Sequence, residues 1–215
     1  MKEQQEKPII MSTEMIRATL EDRKTMTRRT WGLKKINQNP NDWMLVAVFQ
    51  DGLARFCKRD DSQELMIKCP YGGYSDKLWV KEKYLVMVPS LVSEGAVRVK
   101  YSDDIILERM AGDELWKARR LATGGVWKSS LFMPRWASRI LLEIKEIRAE
   151  RLQEITQQDV IAEGIPRYTF ARGCASTNPP DPRWKFIELW DSLNKARGYS
   201  WHSNPWCWPI SFQKT

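Results

Sequence analysis

The sequence predicts an α+β fold, a small mixed β-barrel with helices on its outside. Three observations carry this. Short β-branched or alternating segments recur along the chain. Helical periodicity appears in three separated segments and does not follow each strand in turn. No GxGxxG and no GxxxxGK[ST] pattern is present, so a parallel β-α-β sheet around a dinucleotide or a P-loop has no support. A length of 215 residues allows one domain with insertions, or two small ones.

Lys7-Pro8-Ile9-Ile10 reads as a short strand after a polar lead. Ser12-Thr13-Glu14 then opens a helix. A hydroxyl accepts orphan backbone N–H groups there, and Glu14 sits in the positive first turn. Met15, Ile16, Thr19 and Leu20 share its apolar face, and Glu21 to Lys24 end it. Residues 25–31, rich in threonine, read as a strand.

Residues 32–76 are expected to be irregular. They hold an Asn/Pro/Asp turn cluster before Trp43, a buried strand over 44–49, and an Asp51-Gly52 hairpin turn into Leu53 to Phe56. Cys69 to Gly73 reads as a loop. Asp76 to Glu82 alternates polar and apolar residues, as a half-buried strand does, and 97–101 reads as another strand. Residues 103–130 are mixed and polar, and an exposed insertion is expected there.

Arg139 to Ile147 is a strong strand signal. Thr156 caps a short helix that ends at Gly164, a residue suited to the position after a helix. Gly173, Pro179, Pro180 and Pro182 make 166–182 a loop. Trp184 to Lys195 is the strongest helix, with Phe186, Ile187, Trp190 and Leu193 on one face and Gly198 stopping it. Trp206 to Phe212 is an apolar strand whose Pro209 implies an edge or a bulge.

Lys plus Arg number 35 and Asp plus Glu 27, a net charge of +8, which suits a polyanionic partner such as a nucleic acid or nucleotide. No apolar run reaches the ~20 residues of a membrane-spanning helix. The N-terminus lacks a signal-peptide core, so a cytoplasmic protein without a membrane partner is expected. One His leaves no His-based triad, and four Cys without a CxxC give no zinc spacing. No metal and no cofactor are expected, and no acidic cluster suggests a metal-dependent nuclease.

Four constellations could carry chemistry. Arg23-Lys24-Thr25-Met26-Thr27-Arg28-Arg29 packs cations and hydroxyls at a helix-to-strand junction. A Lys24 desolvated among Arg23, Arg28 and Arg29 would have a lowered pKa and could activate a hydroxyl; a solvated basic turn is the plainer reading. Tyr199, Trp201, Trp206 and Trp208 could stack bases or simply fill the core. Pro134-Arg135-Trp136-Ala137-Ser138-Arg139 could contact phosphate or form a surface loop. Glu163 sits at the negative end of a short helix, which raises a carboxylate pKa unless a cation is near.

Asp22-Arg23-Lys24-Thr25-Met26-Thr27-Arg28 resembles the GRKTxTxR signature of ASCH domains, in the PUA-like superfamily. CPYG (69–72), Asp76 to Glu82, MPRWASRI (133–140), QEITQQDVIAEGI (153–165), LWDSLN (189–194), Gly198-Tyr199 and Asn204-Pro205-Trp206 follow in the order of longer, phage-associated members. The resemblance runs over most of residues 8–213 and implies a single PUA-like domain across 1–215, with insertions at about 32–68 and 103–130.

Small bacterial ASCH proteins hydrolyse N4-acetylcytidine to cytidine and acetate. The resemblance implies that Lys24, Thr27 and Glu163 are the reacting groups here, Glu163 by its place in Ile155-Thr156-x(6)-Glu163. It implies a modified nucleoside or RNA as partner. Arg28, Arg29, Glu82, Arg135, Trp136 and Trp201 are the candidates for substrate contact. In this reading Lys24 takes the Thr27 proton, Thr27 attacks the acyl carbon, and Glu163 helps the amine to leave. A binding module without chemistry is the alternative. The motif's Gly is Asp22 here, which would set an anion beside Lys24.

Overall fold

The computed structural model describes residues 4–87, 96–110, 115–122, 125–166 and 181–215. Cys174 and most of the loop expected over 166–182 lie outside the described residues. The fold is α+β, with a mixed sheet curled into a half-barrel and few helices.

That main sheet positions the site. Strand β1 (Glu6–Ile10) runs parallel to β6 (Lys77–Lys81), and β6 is antiparallel to β10 (Leu141–Ile147). The last strand, β12 (Trp206–Lys214), takes β10 on one flank and β2 (Met26–Arg29) on the other, while the short β11 (Glu150–Arg151) extends the β10 side. Ile210 is therefore paired on both flanks, to Ile147 and to Thr27. Alternation along these strands sends Ile9, Leu78, Leu142, Ile144, Trp208 and Ile210 into one shared core.

Pro209 is not on an edge. The missing proline N–H falls at the corner between β10 and β11, where the ladder is interrupted and the Arg148 N–H donates to the Pro209 carbonyl at 3.0 Å. In a strand the N–H and C=O of one residue face the same neighbour, so the bond the proline cannot return is the one to the Arg148 carbonyl, and the ladder breaks there.

Residues 32–68 are more regular than expected. Strands β3 (Trp43–Val48), β4 (Leu53–Lys58) and β5 (Glu64–Lys68) form an antiparallel sheet, and its Ala54 and Phe56 join the main core. A second antiparallel sheet holds β7 (Tyr84–Met87), β8 (Ala96–Tyr101) and β9 (Ile106–Met110). The segment expected as an exposed insertion supplies β9 and part of a core. Ala118, on a helix over Leu115–Leu121, is buried against Tyr84, Val86, Val97 and Val99. The apolar signal missed there was short and diluted by charges.

The helices match the capping chemistry of the sequence. Helix α1 (Thr13–Leu20) has Ser12 as its N-cap, accepting from the Met15 N–H. The Leu115–Leu121 helix is α2, and α3 (Gln157–Ala162) has Thr156 as its N-cap. Helix α4 (Arg183–Asn194) buries Phe186 and Trp190; Leu193, placed on the same apolar face by periodicity, is left exposed. A 3₁₀ turn over Lys195–Arg197 follows, and Gly198 ends it at φ +85°. Among the described residues no helix is long and apolar enough to cross a membrane.

Candidate active site

The site forms where the end of α3 meets the turn between α1 and β2. After α1 the chain reverses at Asp22, whose φ of +55° is left-handed. That conformation is freest in glycine and is tolerated by aspartate. It lets Asp22 stand at a turn that glycine would also suit. The Asp22 carboxylate points outward to Lys214 Nζ at 3.1 Å, so it is not an anion beside Lys24. The Arg23 and Lys24 N–H groups then both donate to the Ala18 carbonyl, at 2.8 and 2.9 Å.

Helix α3 presents Glu163 from the other side. Thr156 Oγ1 accepts from the Asp159 N–H at 3.1 Å, and Asp159 Oδ2 accepts from the Thr156 N–H at 3.3 Å. This reciprocal box fixes the start of the helix. At its end Gly164 has φ +92°, and a Cβ there would stand 3.1 Å from the Cβ atoms of both Ala18 and Lys24. A glycine lets the two turns touch. The contact is a short antiparallel bridge between Lys24 and Glu163, beside a Thr25 N–H to Ala162 carbonyl bond of 2.8 Å.

Lys24 Nζ donates to three oxygens: the Met26 carbonyl at 2.8 Å, the Glu163 carbonyl at 2.9 Å and Glu163 Oε2 at 2.7 Å. The lysine side chain is wholly buried. Burial lowers the Lys24 pKa; Glu163 opposes this, and Arg29 and Arg28 add to it. The three acceptors hold an ammonium, and the low-dielectric surroundings make its proton easier to lose than a surface lysine's. The Arg23 side chain is half-exposed: it pairs with Glu21 at 2.5 Å and donates to the Gly164 carbonyl at 3.4 Å.

Arg28 braces the same corner. Its Nη2 meets Glu150 Oε1 at 2.6 Å and Asp159 Oδ2 at 2.8 Å, and its Nη1 lies 3.5 Å from Glu163 Oε1. Arg148 reaches Asp159 Oδ1 at 3.1 Å. Burial works against the Arg28 charge, but Glu163 and Glu150 more than offset it and raise its pKa. Burial likewise opposes the Asp159 anion; Arg28 leads the groups that hold its pKa below the usual carboxylate value. Glu163 Oε1 is buried and, among the described residues, accepts no hydrogen bond.

A cavity of about 800 Å³ opens on this cluster. Thr27, Arg28, Arg29 and Glu163 line it, with Lys34, Lys81 and Arg197 as further cations and Trp31, Tyr71, Phe186, Trp190 and Tyr199 as aromatic walls. Glu163 is the acidic residue among the lining side chains; Lys24 lies behind it, outside the lining. Thr27 is buried, and among the described residues its hydroxyl has no hydrogen-bond partner. Thr27 and Glu163 thus line one cavity, and Glu163 stands between Lys24 and the space a ligand would fill.

The structure does not bring four of the candidate contact residues to the cavity. Glu82 is buried elsewhere, bridged to Arg139 at 2.8 and 2.9 Å, and Arg139 also reaches Asp103 at 2.8 Å and stacks on Tyr101. That cluster ties the second sheet to the main one. Arg135 is exposed and pairs with Glu6 at 2.7 Å. Trp136 packs on the second core, and Trp201 packs edge-on against Phe186 in a third. Trp206 and Trp208 are core. Arg29 does line the cavity, and its Nη2 donates to the Ile10 carbonyl at 2.8 Å.

Sequence reasoning missed Glu150 and Asp159, which hold Arg28, and Arg148, which pairs with Asp159. Asp159 had a signal, since it stands three residues after a capping Thr156. It also missed Trp31, Tyr71 and Arg197, which come from three separate loops. Among the described residues no group of three or more His, Cys, Asp or Glu side chains could hold a metal ion. Comparison with protein-family models, curated proteins and solved structures finds no match for this chain.

Proposed function

We propose that this chain is an ASCH-type domain of PUA-like fold that binds a modified nucleoside and hydrolyses an exocyclic amide on it, of the N4-acylated cytosine class. The observation that carries the reading is the buried Lys24–Glu163 contact of 2.7 Å on a cavity that Thr27 also lines. Aromatic walls suit a flat heterocycle.

The geometry favours one assignment of roles. Lys24 spends its donors on three acceptors and stands behind Glu163, so it serves as the fixed charge that orients the carboxylate. Glu163 then acts as the base, taking the proton of the Thr27 hydroxyl as its oxygen attacks the acyl carbon. The tetrahedral oxyanion forms next to Arg28, whose Nε has no partner among the described residues, the C–N bond breaks, and the proton passes from Glu163 to the departing amino group. Water, deprotonated by the same carboxylate, attacks the acyl carbon, and the Thr27 oxygen leaves by taking that proton back from Glu163. A positioned base of this kind contributes typically about 10²–10⁴-fold, and an oxyanion donor about 10²–10³-fold. This differs from the role the sequence suggests for Lys24, as base toward Thr27.

A second reading has one observation in its favour. The saturated lysine and the cationic lining also suit a module that grips RNA or a nucleotide without chemistry. Incubation of the protein with N4-acetylcytidine, followed by chromatography for cytidine and acetate, separates the two. Hydrolysis predicts turnover that Thr27→Val and Glu163→Gln each remove. Ligand binding with no turnover above those variants leaves the binding module.

A further inference from the structure

The cavity carries more positive charge than its own acid balances. Glu163 is taken up by Lys24 and lies beside Arg28. Lys34 and Arg197 are exposed, and among the described residues neither has an acidic partner. Among the described residues Arg29 makes one hydrogen bond, to the Ile10 carbonyl, and its buried Nε has no partner. Two of these cations face one phenol, and Lys34 lines the same cavity. The charges of Arg29 and Arg197 both act on the Tyr71 hydroxyl, and Trp31, 66% exposed, packs edge-on against the Tyr71 ring at 5.8 Å. Lys34 follows three residues after Trp31. The group comes from β2, from the loop after it, from the loop after β5 and from the turn after α4. Unbalanced guanidinium and ammonium groups beside an aromatic pair are suited to a phosphate on a nucleobase ligand.

We infer that the cavity takes a nucleotide carrying phosphate, the phosphate held by Arg29, Lys34 and Arg197 beside Tyr71 and the base directed toward Thr27 and Glu163. The orientation of the base rests on the nucleoside reading above; the phosphate subsite does not. The phosphate comes from a free mononucleotide or from one residue of a single-stranded RNA. A bare nucleoside leaves the three cations without a counter-charge.

Isothermal titration of the full chain at low salt with cytidine, cytidine 5′-monophosphate and a five-nucleotide oligocytidylate RNA tests the subsite without any need for turnover. The expected result is binding at least tenfold tighter for a phosphate-bearing ligand than for cytidine. In the Lys34→Ala/Arg197→Ala double variant that advantage shrinks to within about twofold, and the slope of log affinity against log salt becomes shallower. Both substituted residues are exposed, and an unchanged thermal transition checks the fold. Tight monophosphate binding marks a free nucleotide; a gain confined to the RNA marks a polymer. Equal binding of all three, no binding of any, or an advantage that survives in the double variant overturns the inference. Turnover of N4-acetylcytidine, measured separately, decides the hydrolysis reading alone: a phosphate preference without turnover leaves the subsite standing, and turnover without that preference removes only the subsite.

Discussion

Lys24 and Glu163 stand 139 residues apart in the chain, and their side chains meet at 2.7 Å with the lysine wholly buried and the glutamate 6% exposed. Neither group could be buried so deeply alone. An isolated ion in such a place costs several kcal/mol, and only a close partner with further hydrogen bonds repays it.

Breaking the pair from one side is therefore expected to be costly. Lys24→Met leaves a buried carboxylate short of its main partner and should lower the unfolding free energy by about 3–5 kcal/mol. The Lys24→Met/Glu163→Leu double variant should lose less than the sum of the single losses, as coupled neighbours do. Urea denaturation of the four proteins gives the cycle. Additive losses would show that the two residues are not energetically coupled.

The Lys24 pKa gives a pH signature. Its folded value lies below the ordinary 10.5, chiefly through burial. In the window just below 10.5 the unfolded chain holds that proton more tightly than the folded one, so this residue makes stability rise with pH. Tyr71, Tyr84 and Tyr101, all raised by burial, push the other way. The informative quantity is wild type minus Lys24→Met, which should increase with pH across that window in urea midpoints. A flat or falling difference contradicts the lowered value.

Arg28 spans two carboxylates, Glu150 at 2.6 Å and Asp159 at 2.8 Å, with its side chain wholly buried. Arg28→Ala should cost about 3–5 kcal/mol, since it leaves buried acids unpaired. Arg28→Lys should recover little of this, because one ammonium cannot reproduce the guanidinium fork. Full recovery in thermal melts of Arg28→Lys would show that charge alone matters there.

Thr27 offers a separation of chemistry from folding. Its hydroxyl has no partner among the described residues, so Thr27→Val removes no hydrogen bond and should change stability by less than about 1 kcal/mol. Hydrolysis of the acylated nucleoside should nevertheless be lost. Retained turnover in this variant would move the nucleophile from Thr27 to a water held by Glu163.

The thiols report on the core. Burial pushes the Cys69 thiol up to about 12 and raises Cys207 as well. Iodoacetamide at pH 8 should spare both in the folded protein and modify both in urea, as peptide mapping by mass spectrometry would read. Rapid labelling of either without denaturant would place it nearer the surface.

Elements set by local chemistry were legible. The Ser12 and Thr156 caps, the Gly198 stop and the alternation of residues 76–82 each depend on neighbours within a few positions. Strands β5 and β9 were not, because short segments interrupted by charge become strands only once a paired neighbour satisfies their backbone. Pro209, which implied an edge or a bulge, sits in a strand flanked on both sides. A proline argues for an edge unless the flanking ladder is broken opposite it, and that break belongs to β10 and β11.

For the site, the sequence by itself determined the chemical stock: a lysine, a threonine and cations within residues 23–29, and a glutamate closing a capped helix before Gly164. Tertiary structure alone decided which of these meet. It sent Arg23 to solvent, turned Asp22 toward Lys214, set Lys24 behind Glu163 and gave Glu82 to a separate ion cluster. The reason is physical. Burying a charge is tolerated only where a distant segment supplies its counter-charge, and spacing along a chain does not record which segments pack together.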